Sequence, residues 1–263
     1  MKTIKSKDNI TYKSAVKLLK KKYRDETGLY LLEGVKPLED ALAMGIGVKT
    51  IFLCEGVQKA EGFPEGICMM LDKKLFANLS DTGTSQGVIA VAEQKKYSFD
   101  EFAAKVNRDD NKGNAVIMDR LQDPGNVGTV IRTAEAAGYR GVIMISGSGD
   151  VYSPKVVRAA AGSLFRMPII KAADADEAAS MAKSMRLKLT VTCFEDAQDC
   201  FETDLTSSIA LVIGNEGRGV SERLMELSDI RVKIPMAGSI ESLNAAVAAG
   251  ILMYQSQKKN NER

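Results

Sequence analysis

Short apolar runs alternate with amphipathic stretches along most of the chain. Near the start, Val16, Leu19 and Tyr23 recur among lysines over 10–23, the spacing of a short amphipathic helix. Runs at 28–34, 50–56 and 87–94 read as strands. Stretches 37–44 and 72–79 read as helices, the first with a proline near its start, where the missing N–H is not needed. Residues 1–95 are therefore predicted to form a small α/β unit. Residues 96–113 change character: they are charged, contain Asn, Asp and Gly, hold at most one helical turn, and read as a linker.

From 114 to 263 the pattern is more regular. Strands are predicted at 115–119, 141–146, 167–170, 189–194, 209–214 and 230–235. Helices are predicted at 126–137, 153–165, 175–186, 221–227 and 242–257. Several of the strands are continuous apolar runs, as in a sheet covered on both faces. The alternation predicts an α/β domain with a mostly parallel sheet flanked by helices.

Composition narrows the chemistry. The 263 residues are 45% hydrophobic and 27% charged, as in a soluble globular protein. No apolar run reaches the roughly 18 residues of a membrane span. The lysine-rich start lacks an apolar core and a cleavage site, so no secretory signal is expected and the protein reads as cytoplasmic. Cys54, Cys68, Cys193 and Cys200 form no C-x-x-C pair and lie in or beside apolar runs, so they read as reduced packing residues. Histidine is absent. That excludes Ser–His and Cys–His nucleophile systems and histidine zinc sites, and no metal is expected. Net charge is +2, yet residues 1–24 alone carry +8. Such an arm suits phosphate contact, and equally a solvated helix face.

Three loops concentrate polar residues at predicted strand ends. The first runs from Asp119 through Asp123-Pro124-Gly125 into a helix, with Asn126 as its expected N-cap. Val127, Val130, Ile131 and Ala134 form the inward stripe, which leaves Arg132 on another face one turn beyond Gly128. A helix start with an arginine suits an anion; alone, Arg132 could be a surface ion pair and Asn126 a mere cap. The second, Gly214-Asn-Glu-Gly-Arg-Gly219, follows a buried strand. Its glycines permit close backbone approach to a ligand, or simply a tight turn. It is neither a dinucleotide fingerprint nor a P-loop. Glu216, held there, could bind a substrate hydroxyl or steer Arg132. The third runs from Ile234-Pro-Met through Ser242-Leu-Asn244 into an alanine-rich helix, with Ser242 as a possible cap.

Together the loops resemble the three motifs of the SpoU family, the 2′-O-ribose branch of the SPOUT RNA methyltransferases. The match is N-V-G-T-V-I-R-T-A-E-A-A-G at 126–138, I-G-N-E-G-R-G at 213–219 and I-P-M-x-G-x-x-x-S-L-N at 234–244. The stretch 156–169 is also similar, with Ala161 where family members often carry Ser. Y-L-L-E-G at 30–34 and T-S-Q-G-V at 84–88 look like the family's accessory substrate-binding domain, itself similar to ribosomal RNA-binding proteins.

The resemblance implies a trefoil knot near the C-terminus, which base rates alone would never suggest. It also implies a homodimer with the site near the subunit interface. S-adenosylmethionine would bind through the loops at Ile213-Gly214, Ile234-Pro-Met236 and Leu243. The catalytic set would be Arg132, Asn126, Glu216, Ser242 and Asn244. A guanidinium stays protonated, so Arg132 is expected to bind the adjacent phosphate and stabilise oxyanion charge, with Glu216 or a water taking the proton. Asn126, Ser242 and Asn244 would orient the arginine, the hydroxyl and the cofactor. The expected substrate is RNA, ribosomal rather than transfer RNA. Rivals are a base nitrogen as methyl acceptor, a non-catalytic RNA-binding protein on the same fold, and a nucleotide-dependent oxidoreductase, which the missing fingerprints disfavour.

Overall fold

A computed structural model describes residues 1–107, 113–206, 208–240 and 242–258. The chain divides into two units: residues 1–95 with 150–165, and residues 96–149 with 166–263.

The first unit holds β1 (Lys2–Ile4), α1 (Ile10–Lys17), α2 (Lys21–Thr27), β2 (Leu29–Glu33), α3 (Val35–Ala43), β3 (Val48–Cys54), β4 (Cys68–Leu71), α4 (Lys73–Leu79) and β5 (Val88–Glu93). Its sheet has the order β1-β4-β3-β5-β2, and β5 runs antiparallel to both neighbours while the other pairs are parallel. Phe52, Leu71, Phe76 and Ile89 pack with Tyr12, Ala15 and Leu18 into one core. The single helix expected over 10–23 is two. Bonds from Leu18, Leu19 and Lys20 back to the third preceding carbonyl tighten the chain there, and α2 starts afresh. The short strands β1 and β4 are not predicted by the sequence because three or four residues, buried mainly at one or both ends, carry no periodicity.

The second unit holds α5 (Phe99–Val106), β6 (Ala115–Met118), α6 (Pro124–Ala136) and β7 (Gly141–Ile145). The segment 150–165, with α7 (Pro154–Ala159), then interrupts it. It resumes with β8 (Ile169–Ala172), α8 (Ala175–Ser184), β9 (Lys188–Thr192), β10 (Gln198–Asp199), β11 (Ile209–Ile213), α9 (Glu222–Glu226), β12 (Ile230–Lys233) and α10 (Ala245–Gln255). The seven-stranded sheet has the order β10-β12-β9-β11-β6-β7-β8, and every pair is parallel. Its central residues Ile117, Ile143, Val191 and Val212 are fully buried, consistent with helices on both faces.

Three expectations change here. Within 96–113, residues 99–106 are a helix of the second unit, not linker: Ser98 and Glu101 form a capping box, and Phe102 and Val106 are fully buried. Residues 108–112 of that stretch, and 259–263 of the C-terminal domain, lie outside the described residues. The helix expected over 153–165 ends at Ala159, because Ala161 and Gly162 turn left-handed (φ +46° and +84°) before a short 3₁₀ turn. The segment 150–165 packs within the first unit, where Arg24, almost fully buried, pairs with Asp150 at 2.6 Å and Tyr30 meets Tyr152 ring to ring at 4.9 Å.

Candidate active site

The carboxyl end of β6 opens the site. Asp119 is 1% exposed; its carboxylate accepts from Ser221 N at 2.6 Å and pairs with Arg120 at 2.9 Å. The chain then turns into α6, whose N-cap is Asp123: Oδ1 accepts from Asn126 N at 2.9 Å, with Pro124 in the first helical position. Asn126 is therefore not the cap, because the proline starts the helix two residues earlier. That frees the Asn126 amide for other work. Its Nδ2 donates to Glu216 Oε1 at 3.1 Å, and its Oδ1 accepts from Asn244 Nδ2 at 2.9 Å. One amide thus joins all three loops.

The loop after β11 is built from its own backbone. Asn215 and Gly219 exchange N–H···O bonds of 3.0 and 2.9 Å, closing a five-residue turn. Asn215 Oδ1 accepts from Gly217 N and Arg218 N, and its Nδ2 donates to the Arg120 carbonyl at 2.9 Å. Gly214 lies under this bridge; a Cβ there would come within 2.3 Å of Gly219 C and Val220 N. Glu216 accepts from Gln122 N at 3.2 Å and Asp123 N at 2.9 Å besides Asn126. Burial alone would raise its pKa; the bonds from Asp123, Asn126 and Gln122 and from its own backbone outweigh that and hold the carboxyl below its usual value. A carboxylate so bonded is a clamp, and its lowered basicity weighs against the base role that the sequence left open. Among the described residues no ion pair joins Glu216 to Arg132.

In the third loop the cap of α10 is Asn244, whose Oδ1 accepts from Ala246 N and Val247 N, rather than Ser242. Ser242 is exposed and, with Ile213, Gly214, Ile234, Met236, Leu243 and Asn244, lines a cavity of about 650 Å³ at the ends of β9, β11 and β12. Thr192, Cys193 and Phe194 line it too; they carry no motif, and the sequence reading missed them, as it missed Asn215. The volume lies within the usual range for a small-molecule site. Walls that include glycines and small side chains, in a cavity of this size, suit a nucleoside-sized ligand.

Arg132 does not line this cavity. It is exposed on α6, and among the described residues its guanidinium makes no hydrogen bond or ion pair. A guanidinium kept free is available to a ligand. Among the described residues no group of three or more His, Cys, Asp and Glu could hold a metal ion, and no helix is long and apolar enough to cross a membrane.

Fold and site are those of a parallel α/β protein that takes a ligand beyond the carboxyl ends of its strands. Residues 113–254 match the SpoU rRNA Methylase family, and residues 9–90 match the MRM3-like substrate binding domain. The 23S rRNA (guanosine(2553)-2′-O)-methyltransferase RlmP of Bacillus subtilis is 35% identical, over 97% of this chain and 98% of its own. A 23S rRNA (uridine(2479)-2′-O)-methyltransferase of Streptomyces viridochromogenes is 32% identical, over 90% and 85%. The crystal structure of an AdoMet-bound rRNA methyltransferase from Sinorhizobium meliloti superposes with a TM-score of 0.85 at 30% identity, covering 97% of each chain. The chain belongs to the SpoU rRNA methylase family.

Proposed function

We propose that this chain transfers a methyl group from S-adenosylmethionine to a ribose 2′-hydroxyl of ribosomal RNA. The observation that carries the reading is the bonded chain Glu216–Asn126–Asn244, which gathers the three family motifs beside one cavity. Ile213, Gly214, Ile234, Met236 and Leu243 hold the donor. Bound there, the donor supplies a methyl on a sulfonium sulfur, so that the protein need only place an oxygen in line with it. Arg132 binds the phosphate beside the target ribose and stabilises the charge that grows on its 2′-oxygen. It cannot take the proton, and Glu216 is engaged, so the proton passes to water. Asn126 and Asn244 fix the relative placement of the loops, and Ser242 faces the donor.

The first unit, residues 1–95 with 150–165, is read as the RNA-binding part. Its support is the match over 9–90 and the exposure of all eight lysines between Lys2 and Lys22. The second unit is read as catalytic. A homodimer is supported by α10, which leaves Val247 51% and Tyr254 56% exposed opposite its buried face. A knotted C-terminus is supported by β12 lying inside the sheet, between β10 and β9, with α10 against α6 and β11 rather than at an edge.

The test has two parts. Ribosomal RNA methylated by the protein should yield an alkali-resistant linkage at one nucleotide; a methyl on a base nitrogen sinks the assignment. Arg132→Lys should lower kcat about 100-fold while leaving donor affinity within twofold, because a point charge replaces the planar fork. Near-normal turnover in the lysine variant sinks the role given to Arg132.

A further inference from the structure

We propose that Phe194 is the platform on which the purine of the methyl donor stacks; the inference rests on the donor reading above and adds a residue that no family motif contains. In the sheet β9 lies between β12 and β11. Its carboxyl end therefore opens between the two loops, 234–244 and 214–221, that follow those strands. Cys193 N donates to Val232 O at 3.1 Å and anchors the backbone there. Phe194 is the next residue; it lines the cavity and is 64% exposed. Met236 and Leu243 of the third loop line the same cavity, the latter 37% exposed.

An aromatic residue beside a bonded backbone position, sharing one cavity with apolar side chains, fits a flat, apolar-faced guest. Of the donor's parts only the purine is such a group; the amino-acid tail and the sulfonium are charged. Stacking on an aromatic side chain is the common means of holding a base without reading its edge. The alternative use of the ring, as a cation–π partner for the sulfonium, predicts a different dependence on charge.

Titration calorimetry with S-adenosylmethionine and with its neutral-sulfur product S-adenosylhomocysteine separates these. Phe194→Ala should weaken both about tenfold. Because the side chain is mostly exposed, the thermal midpoint should not move. The chain contains no tryptophan, so Phe194→Trp introduces a single tryptophan that can be excited apart from the tyrosines. That variant should bind both compounds within about threefold of wild type, as a ring of the same kind, and its emission should change on saturation. Unchanged affinities in Phe194→Ala overturn the proposal, as does a loss confined to the sulfonium compound. Wild-type protein that binds neither compound overturns the proposed function with it, whereas wild-type binding beside an unaffected alanine variant overturns the stacking role alone.

Discussion

The two loops that wall the cavity proposed for the donor are built in opposite ways. The loop after β11 is bonded throughout: the Asn215–Gly219 bridge closes it, Asn215 caps two further amides, Asp119 takes Ser221 N, and Glu216 ties it to the start of α6. In the loop after β12, residues 235–240 and 242–243 make no hydrogen bond among the described residues, and nearly all of them are exposed. It is held only at its ends, by β12 and by the Asn244 cap of α10. The contrast indicates a division of labour. On this reading one wall would be set before any ligand arrives and cost no ordering on binding, and the other would take its conformation with the ligand and bear that cost.

The largest effect should follow from breaking the ready-made wall at its tightest point. A methyl at position 214 would stand 2.3 Å from the Gly219 and Val220 backbone, which no rotamer can relieve. Gly214→Ala should cost about 1–3 kcal/mol. Opening the bridge to release that strain should weaken the donor roughly tenfold to a hundredfold. Calorimetry and thermal unfolding check it, and wild-type values for both would mean the bridge is not what shapes the cavity.

A smaller effect should come from the clamp. Glu216→Gln keeps the shape but cannot accept from three donors with a charged group, and should cost about 1–2 kcal/mol in stability. The pH dependence has a definite sign. The folded-state pKa is depressed, so the carboxylate stabilises the fold fully above the ordinary value of 4.5, and that contribution is lost as pH falls through the lower folded value. Wild-type thermal midpoint should be insensitive to this group above pH 5 and decline below 4.5, and the glutamine variant should lack that part of the decline. Parallel acid profiles for the two proteins would remove Glu216 from the account.

How far these features could be read beforehand depended on how local their causes are. The parallel sheet was legible because its strands are continuous apolar runs such as 209–213. Two-residue β10 was not, since its pairing with β12 is all that defines it. The α5 helix was legible in principle: Ser98 and Glu101 have capping-box spacing, and Phe102 and Val106 lie on one face. That Arg132 lies off the buried stripe followed from helical spacing alone; that its guanidinium has no partner among the described residues did not. The bonding of Glu216 did not, because its partners lie 90 to 94 residues away, and a carboxylate in a glycine loop reads equally well as base or as clamp. Phe194 belongs to no pattern; only the position of β9 between β11 and β12 brings it to the cavity.

The smallest effect should come from the same substitution in the other wall, and it decides whether the contrast is real. A Cβ at Gly238 would meet nothing within 4 Å, and the backbone there is not left-handed. Gly238→Ala should shift stability by no more than about 0.5 kcal/mol. If the third loop orders only on binding, the alanine also removes some freedom that the free loop must lose, so donor affinity should hold or improve slightly. A loss comparable to that at 214 would show that the bound loop is packed as tightly as the bridge. The two walls would then differ only in the absence of ligand, and the division of labour between them would fail.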